Sequence, residues 1–418
     1  MKKIVYFTII SSMIGAGIIS INMGGFQLSL FRGLIVLLSL VSILEILLRN
    51  KKIPIKIRED NKYSIKFMFI WLSYAFFSLA WVKDYNGWLK AIYFIALGFL
   101  SILILKKYLR NKKDILTSFR VIFPMIVFHN LLGWYEVITG NYLFLLDNRV
   151  IKYLKYNYPV STFGNTNDYA VFMMFSFFVL YICLINSSKF ITKFIYMSAM
   201  VSSIGLLLST GSRAVLLGLI IGLLVLAIYS IQRKKTRRIV LSLLLSLFFV
   251  ILLNPNILLD LFSNIDNMLS FDFSQQSGSE FVRINLIRNG FDFLISTFGF
   301  GTGAGNIEYW MANFGTYNTG GVLNIHNWWM EILVGYGLII FILYITFYTK
   351  LFASMHKKFK SANNRTDMTI SLGIMSIMSG YIVASISSSS NMSSEWLWVF
   401  WAIAIAYQGM TLSNNNQE

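Results

Sequence analysis

Residues 169–186 read YAVFMMFSFFVLYICLIN, eighteen positions without one Asp, Glu, Lys or Arg. Wound as an α-helix at 1.5 Å per residue, such a run is about 27 Å long, close to the roughly 30 Å hydrocarbon core of a bilayer. It lacks the apolar/polar alternation of an outer-membrane barrel strand. Eleven further runs of spanning length fall near 4–22, 28–48, 67–81, 88–105, 115–135, 190–208, 213–230, 239–253, 328–349, 369–388 and 395–411. Composition agrees: of 418 residues 56% are hydrophobic and only 13% charged, whereas soluble domains carry about a quarter charged. These facts exclude an ordinary soluble enzyme, and 4 Pro and 28 Gly exclude a collagenous chain. The expected fold is an all-α integral membrane protein of about 12 transmembrane helices. The single Cys183 lies inside an apolar run, so no disulfide framework or cysteine metal site is expected.

The formal charge of +18 is explained by where the bases sit. Lys2 and Lys3, seven bases in 49–66, five in 106–113, Lys189 and Lys193, five in 233–238 and five in 350–365 make 26 of the 36. With twelve spans all of these segments fall on one side, so the positive-inside rule predicts both termini in the cytoplasm. Contact with anionic lipid accounts for the rest, and no nucleic-acid partner is needed. The run after Lys3 also reads as a signal peptide, but with no small-residue cleavage site standing out it is taken as a retained first helix.

The chain divides into a five-helix region 1–135, a central region 136–253 with an outer loop 136–168, a long extracytoplasmic loop 254–327, and a three-helix region 328–418 with an Asn-rich tail. The long loop carries six acids against two bases, the reverse of the cytoplasmic segments. Within it Phe281, Ile284, Ile287 and Phe291 recur at helical spacing, predicting an amphipathic outer helix over 280–294.

Charges at the edge of an apolar layer are costly, which makes those present candidates for function. Arg213, after Ser209-Thr210-Gly211-Ser212, joins a permanent cation to a turn at a helix start, an anion site in form; snorkelling to headgroups explains it equally well. Arg283 and Arg288 are the only bases of the acidic loop; their forks suit phosphate oxygens, or a surface ion pair with Glu280 or Asp292. His326, in Asn324-Ile325-His326-Asn327-Trp328-Trp329-Met330-Glu331, is a base suited to pH 7 where the chain re-enters the membrane, or a capping residue. Asn165 and Asn167, in Ser161-Thr162-Phe163-Gly164-Asn165-Thr166-Asn167-Asp168, can meet sugar hydroxyls or phosphate, or make a turn and cap. His129 and His356 read as packing and surface residues. Gly299-Phe300-Gly301-Thr302-Gly303-Ala304-Gly305 follows no strand and lacks the Gly-Lys-Ser/Thr end of a nucleotide loop. No His/Cys/Asp group has metal-ligand spacing, so no metal and no cofactor is expected.

Taken in order, these pieces resemble the O-antigen ligase and polysaccharide polymerase superfamily of bacterial envelope proteins. The matching residues are Phe163-Gly164-Asn165-Thr166-Asn167, Ser212-Arg213-Ala214, Arg283 followed by Gly301-Thr302-Gly303, and His326-Asn327. The chain departs from the family pattern at Thr166 and Phe298, where proline is usual, and at Ala214, where glycine is. The resemblance implies glycan transfer on the outer face of the cytoplasmic membrane from an undecaprenyl-pyrophosphate-linked oligosaccharide. It gives His326 as the base acting on the acceptor hydroxyl and Arg213 and Arg283, with Arg288 as a weaker third, as pyrophosphate ligands. Asn165, Asn167, Ser212 and Asn327 fall to substrate binding, and a chain-length regulator is a further partner it leaves open. With no nucleophile evident, direct inverting displacement is expected. A polymerase extends lipid-linked units, whereas a ligase passes the chain to an acceptor such as lipid A core; the Lys/Asn/Ile-rich composition leans to polymerase. The competing class is a flippase for lipid-linked sugars, which also has about twelve spans but usually shows repeat symmetry and midplane charges. A third reading, a structural partner of a glycan assembly complex with degenerate chemistry, sits poorly with Arg213, Arg283 and His326.

Overall fold

The computed structural model describes residues 1–15, 18, 20–23, 26–49, 59–144, 157–231, 279–388 and 391–411. Among them nine helices are long and apolar enough to cross a membrane, and the fold is that of an all-α multi-pass membrane protein. In chain order the elements are α1 (Lys2–Ser11), β1 (Ser20–Met23), β2 (Phe26–Ser29), α2 (Leu30–Arg49), α3 (Glu59–Phe77), α4 (Tyr85–Tyr108), α5 (Lys112–Thr139), α6 (Thr166–Ile185), α7 (Phe190–Ser209) and α8 (Arg213–Ile231). They continue with α9 (Ser279–Ser296), α10 (Ile307–Phe314), α11 (Trp328–Lys360), α12 (Arg365–Ala384) and α13 (Glu395–Gln408). The expected span at 239–253, the basic cluster 233–238 and most of the long loop before α9 lie outside the described residues.

The stretch that decides the fold class becomes α6, whose spanning window is 100% buried inside the protein. A helix apolar on all sides belongs in the middle of a bundle, and α6 is flanked there by α5, α7, α8 and α12. Beside it α8 and α12 cross so closely that a Cβ on Gly218 would stand 2.5 Å from the Gly380 carbonyl oxygen, the small-residue contact typical of membrane helices.

Two expected spans are corrected. The first, 4–22, is helical only to Ser11, and an antiparallel hairpin follows with Ser20 opposite Ser29 and Met23 opposite Phe26. The sequence from 11 to 17 is Ser-Ser-Met-Ile-Gly-Ala-Gly, poor in helix formers. The Ser11 and Ser12 hydroxyls donate to the carbonyls of Thr8 and Ile9 at 2.9 and 2.7 Å, Gly15 turns at φ 85°, and His129 Nε2 lies 2.7 Å from the freed Met13 carbonyl. The last, 395–411, yields a helix of only 14 residues, about 21 Å long. Irregular backbone before it is therefore held by neighbours: Tyr381 donates to Asn391 Oδ1 at 2.8 Å and Trp398 Nε1 to the Met392 carbonyl at 2.8 Å. Such backbone is tolerated at membrane depth only when buried in protein or lining a cavity.

The helices alternate in direction, which sorts the described residues onto two ends. Lys2 pairs with Asp114 at 2.7 Å and Lys107 with Glu45 at 2.8 Å at one end, where Lys189, Lys193, Lys350 and Arg365 also lie. Segments 157–168, 209–213, 297–306 and 324–328 all lie at the other.

The glycine-rich segment 299–305 has a structural task at that second end. It wedges between the α3–α4 connection and a kink in α11 at Gly337, whose φ is 76° and ψ 176°. Thr302 N donates to the Val334 carbonyl at 2.8 Å and Leu338 N to the Gly299 carbonyl at 2.9 Å, replacing helix bonds lost at the kink. Trp81 Nε1 donates to the Gly301 carbonyl at 3.1 Å, and Ala304 N to Ser78 Oγ at 3.1 Å. A Cβ on Gly301 would stand 2.6 Å from both Gly337 N and the Val334 carbonyl oxygen, at φ 78°. Gly301→Ala therefore clashes with backbone rather than with a movable side chain. It is expected to lower the unfolding temperature of the detergent-purified protein by several degrees, as a loss of about 2 kcal/mol or more does; unchanged melting would show the wedge to be dispensable.

Candidate functional site

At the motif end the chain segments are fastened to one another by hydrogen bonds. Segment 157–168 is drawn onto α5 by Glu136, whose Oε2 accepts from Val160 N and Ser161 N at 2.8 Å each. His129 Nδ1 lies 2.8 Å from Ser161 Oγ, so this buried histidine joins α1, α5 and the loop as a packing residue. His356, expected at the surface, is half-buried with its Nδ1 2.7 Å from the Tyr229 hydroxyl. Asn165 caps α6, its Oδ1 accepting from Asn167 N at 2.8 Å. Thr166, where the family has proline, opens α6, and its hydroxyl donates to the Pro159 carbonyl at 3.1 Å and the Thr210 carbonyl at 3.4 Å. The asparagine segment and the arginine turn are thus neighbours.

Arg213 is the first residue of α8 and is exposed. The first turn of α8 holds no acid, and the Ser212 hydroxyl is buried with no hydrogen-bond partner among the described residues. A helix start presents backbone N–H groups and favours negative charge, so an anion held there would lie beside the Arg213 guanidinium.

Arg283 and Arg288 are both exposed on α9, Arg288 with its guanidinium 5.6 Å from the Tyr317 ring centre. The amphipathic helix is present, but the stripe read for it is corrected: Phe281, Ile284 and Ile287 are only partly buried and Phe291 is 47% exposed. The buried face is Leu286, Asn289, Gly290 and Phe293, a stripe that mixes apolar with amide groups. Asn289 Oδ1 accepts from Thr316 N and Tyr317 N at 2.9 Å each, so the amides hold the loop after α10 where aliphatic side chains leave off. Gly290 abuts Ile325, which sets the arginine helix against the histidine turn.

His326 is half-buried and has φ 49°, the left-handed region that non-glycine residues rarely occupy. Both sides of it are pinned. Its N–H donates to Asn324 Oδ1 at 2.9 Å, and Asn324 Nδ2 donates to Glu308 Oε1 at 3.2 Å. Asn327 caps α11 by accepting from Trp329 N and Met330 N at 3.1 and 3.3 Å, and Trp328 N donates to the Ser385 carbonyl at 3.0 Å. Backbone strain of this kind, about 1–3 kcal/mol, persists only where surroundings over-determine it.

Next to this turn lies a cavity of about 420 Å³, within the usual range of roughly 300–1,000 Å³ for ligand pockets. Asp84, Lys90, Glu308, Asn324, Glu331 and Tyr336 line it. Its floor is set by Asn306, whose Oδ1 accepts from Lys83 N at 2.8 Å and Asp84 N at 2.7 Å, and by the backbone contact of Gly87 with Gly305. Its far wall is braced by the buried pair Arg32–Glu395 at 2.6 Å, the Arg32 guanidinium lying 5.1 Å from the ring centre of the lining Phe94. None of Arg213, Arg283 and Arg288 lines the cavity.

Sequence reasoning missed Glu331, Glu308 and the Arg32–Glu395 pair. Glu331 carried a signal, an acid within a run otherwise able to span a membrane. Glu308 and Asp84 carried none, because their convergence is made by the glycine wedge. Among the described residues no group of three His, Cys, Asp or Glu could hold a metal ion.

Residues 198–345 match the O-antigen ligase family, a segment that contains Arg213, α9, the glycine wedge and His326. Over 408 residues the chain is 28% identical to the teichuronic acid biosynthesis protein TuaE of Bacillus subtilis (strain 168), covering 96% of this chain and 83% of that protein. That likeness extends across the N-terminal helices, where the sequence resembles the family in hydropathy alone. Match, motif order and multi-span fold agree in supporting a likeness to the O-antigen ligase and polymerase superfamily.

Proposed function

We propose that the protein is a polysaccharide polymerase of the bacterial cytoplasmic membrane, extending a glycan carried on undecaprenyl pyrophosphate. In this reading both termini are cytoplasmic and the site faces outward, as the sorting of basic residues to the opposite end supports. The observation that carries the reading is the pinned left-handed turn at His326, set beside a ligand-sized cavity and against the arginine-bearing α9.

The chemistry follows from the groups available. An acceptor hydroxyl attacks the anomeric carbon of the donor; a new glycosidic C–O bond forms as the bond to the pyrophosphate oxygen breaks, with inversion. His326 takes the hydroxyl proton, and the lipid pyrophosphate leaves as an anion. Pyrophosphate is a good leaving group, so fixed positive charge from Arg213 and Arg283, with Arg288 as a weaker third, serves it in place of a strong acid. Asn165, Asn167, Ser212 and Asn327 shape the turns that present these groups and fall to substrate binding.

Polymerase is favoured over ligase because the TuaE relative is named for biosynthesis of teichuronic acid and not for transfer to a lipid core. Deletion of the gene, with lipid-linked and surface glycans resolved on a gel, tests the reading. Single lipid-linked units accumulating on the outer leaflet are the expected result. Long lipid-linked chains that never reach a final acceptor would make it a ligase, and units trapped on the cytoplasmic leaflet a flippase.

A further inference from the structure

Charge is segregated around the His326 turn. The three arginines assigned to the donor pyrophosphate all lie off the cavity, while the cavity itself presents three acidic side chains, Asp84, Glu308 and the buried Glu331, against the one ammonium of Lys90. A pyrophosphate or a uronate entering it would meet net negative charge in partly desolvated surroundings, where repulsion is strong. Hydroxyl and ammonium groups meet acceptors there.

Two of the carboxylates are partly occupied: Asp84 Oδ1 caps α4 by accepting from Asn86 N at 3.0 Å, and Glu308 Oε1 accepts from Asn324 at 3.2 Å. Glu331 differs. It sits in the first turn of α11 and lines the cavity, and its Oε1, shut from solvent, has no hydrogen-bond partner among the described residues. Such an oxygen costs about 1–3 kcal/mol or more if left unmet, so it marks where a donor group belongs. Asn324 lines the same cavity and also accepts the His326 N–H, so an occupant would lie against the wall that holds the candidate base in place.

We propose that this cavity is the acceptor subsite, which takes the terminal sugars of the acceptor glycan in uncharged or amino-substituted form, with Glu331 accepting from a sugar hydroxyl or ammonium. The proposal rests on the glycan-transfer reading and deepens it by separating the acceptor from the arginine-held donor. It excludes a uronate from the sugar that docks against Glu331. The pattern of neutral, amino and acidic sugars along the repeat then decides which unit end is extended.

The test uses the full chain in lipid nanodiscs with Asn86→Cys as a reporter at the exposed rim of the cavity. The one native cysteine, Cys183, is buried, so maleimide labelling reports Cys at 86. N,N′-diacetylchitobiose, its deacetylated amino form, a glucuronate-containing disaccharide and inorganic pyrophosphate are compared as protectants. The first two are expected to slow labelling at least severalfold and the last two to leave it unchanged. Adding Glu331→Gln should raise the half-protecting concentration of the amino disaccharide about tenfold or more, the loss of one charge-assisted hydrogen bond. Protection by pyrophosphate or the uronate in preference to the neutral sugar overturns the proposal, as does protection by none of the four. Chain extension by the wild-type protein is assayed in parallel. Sugar protection without any chain extension sinks the polymerase reading and leaves a sugar site, whereas extension without sugar protection sinks the subsite alone.

Discussion

Exchange of His326 for Asn is expected to lower glycan transfer by about 10²- to 10⁴-fold while leaving donor binding intact, the usual contribution of a positioned general base. Asn is the informative replacement because it tolerates the left-handed backbone found here at φ 49°, which Ala does not. The turn, the Asn324 hydrogen bond and the Asn327 cap all persist in His326→Asn, so the loss is assigned to the imidazole. His326→Ala adds backbone strain and should show both the catalytic loss and a lower melting temperature. The measurement is single-turnover extension of lipid-linked units alongside retention of radiolabelled donor by purified protein. Turnover that survives in His326→Asn with weakened donor retention would make His326 a binding residue, and the base would have to be sought among the carboxylates of the cavity.

The two levels of this architecture differed in how far the sequence exposed them. Spans such as 169–186 were legible because hydrocarbon imposes a length and a composition that any twenty-residue window reveals. The motif residues Arg213, Arg283 and His326 were legible because charge at the edge of an apolar layer is rare. What failed to show was geometry made by contacts distant in sequence. The α9 stripe escapes a hydrophobic reading because its inner face uses Asn285 and Asn289, whose side-chain N–H groups donate to the Asn318 and Tyr317 carbonyls at 2.8 and 2.9 Å. A hydrophobic period cannot register amides that are buried against carbonyl partners distant in sequence. The cavity was invisible for a related reason: Asp84 and Glu308 are 224 positions apart, and their walls are joined by the approach of Gly87 to Gly305 and by the Asn306 side chain. Phe298 shows the converse. Its φ of 51° cannot be reached by proline, so the departure from the family pattern reflects a turn made by different backbone, and the wedge behind it survives.

Arg213 carries the other large effect. An arginine opening a helix whose first turn has no acid puts a fixed guanidinium beside the N–H groups of a helix start, a place that favours an anion. Arg213→Ala is accordingly expected to reduce transfer by about 10²- to 10³-fold, as removal of one preorganised charge-stabilising donor does. Arg213→Lys should recover only part of this, because an ammonium keeps the charge but not the planar two-point fork. Inorganic pyrophosphate should inhibit the wild-type protein and lose potency against both variants. Arg283→Ala should behave alike, and if both arginines hold one leaving group the double variant loses less than the product of the single losses, since a pyrophosphate already misplaced has less left to lose. Strict multiplicativity would assign the two arginines to separate anions, for instance Arg283 to a lipid headgroup. Chains of normal length from Arg213→Ala at normal protein levels would remove Arg213 from the reaction, and its exposed guanidinium would then be a snorkelling group at the headgroup layer.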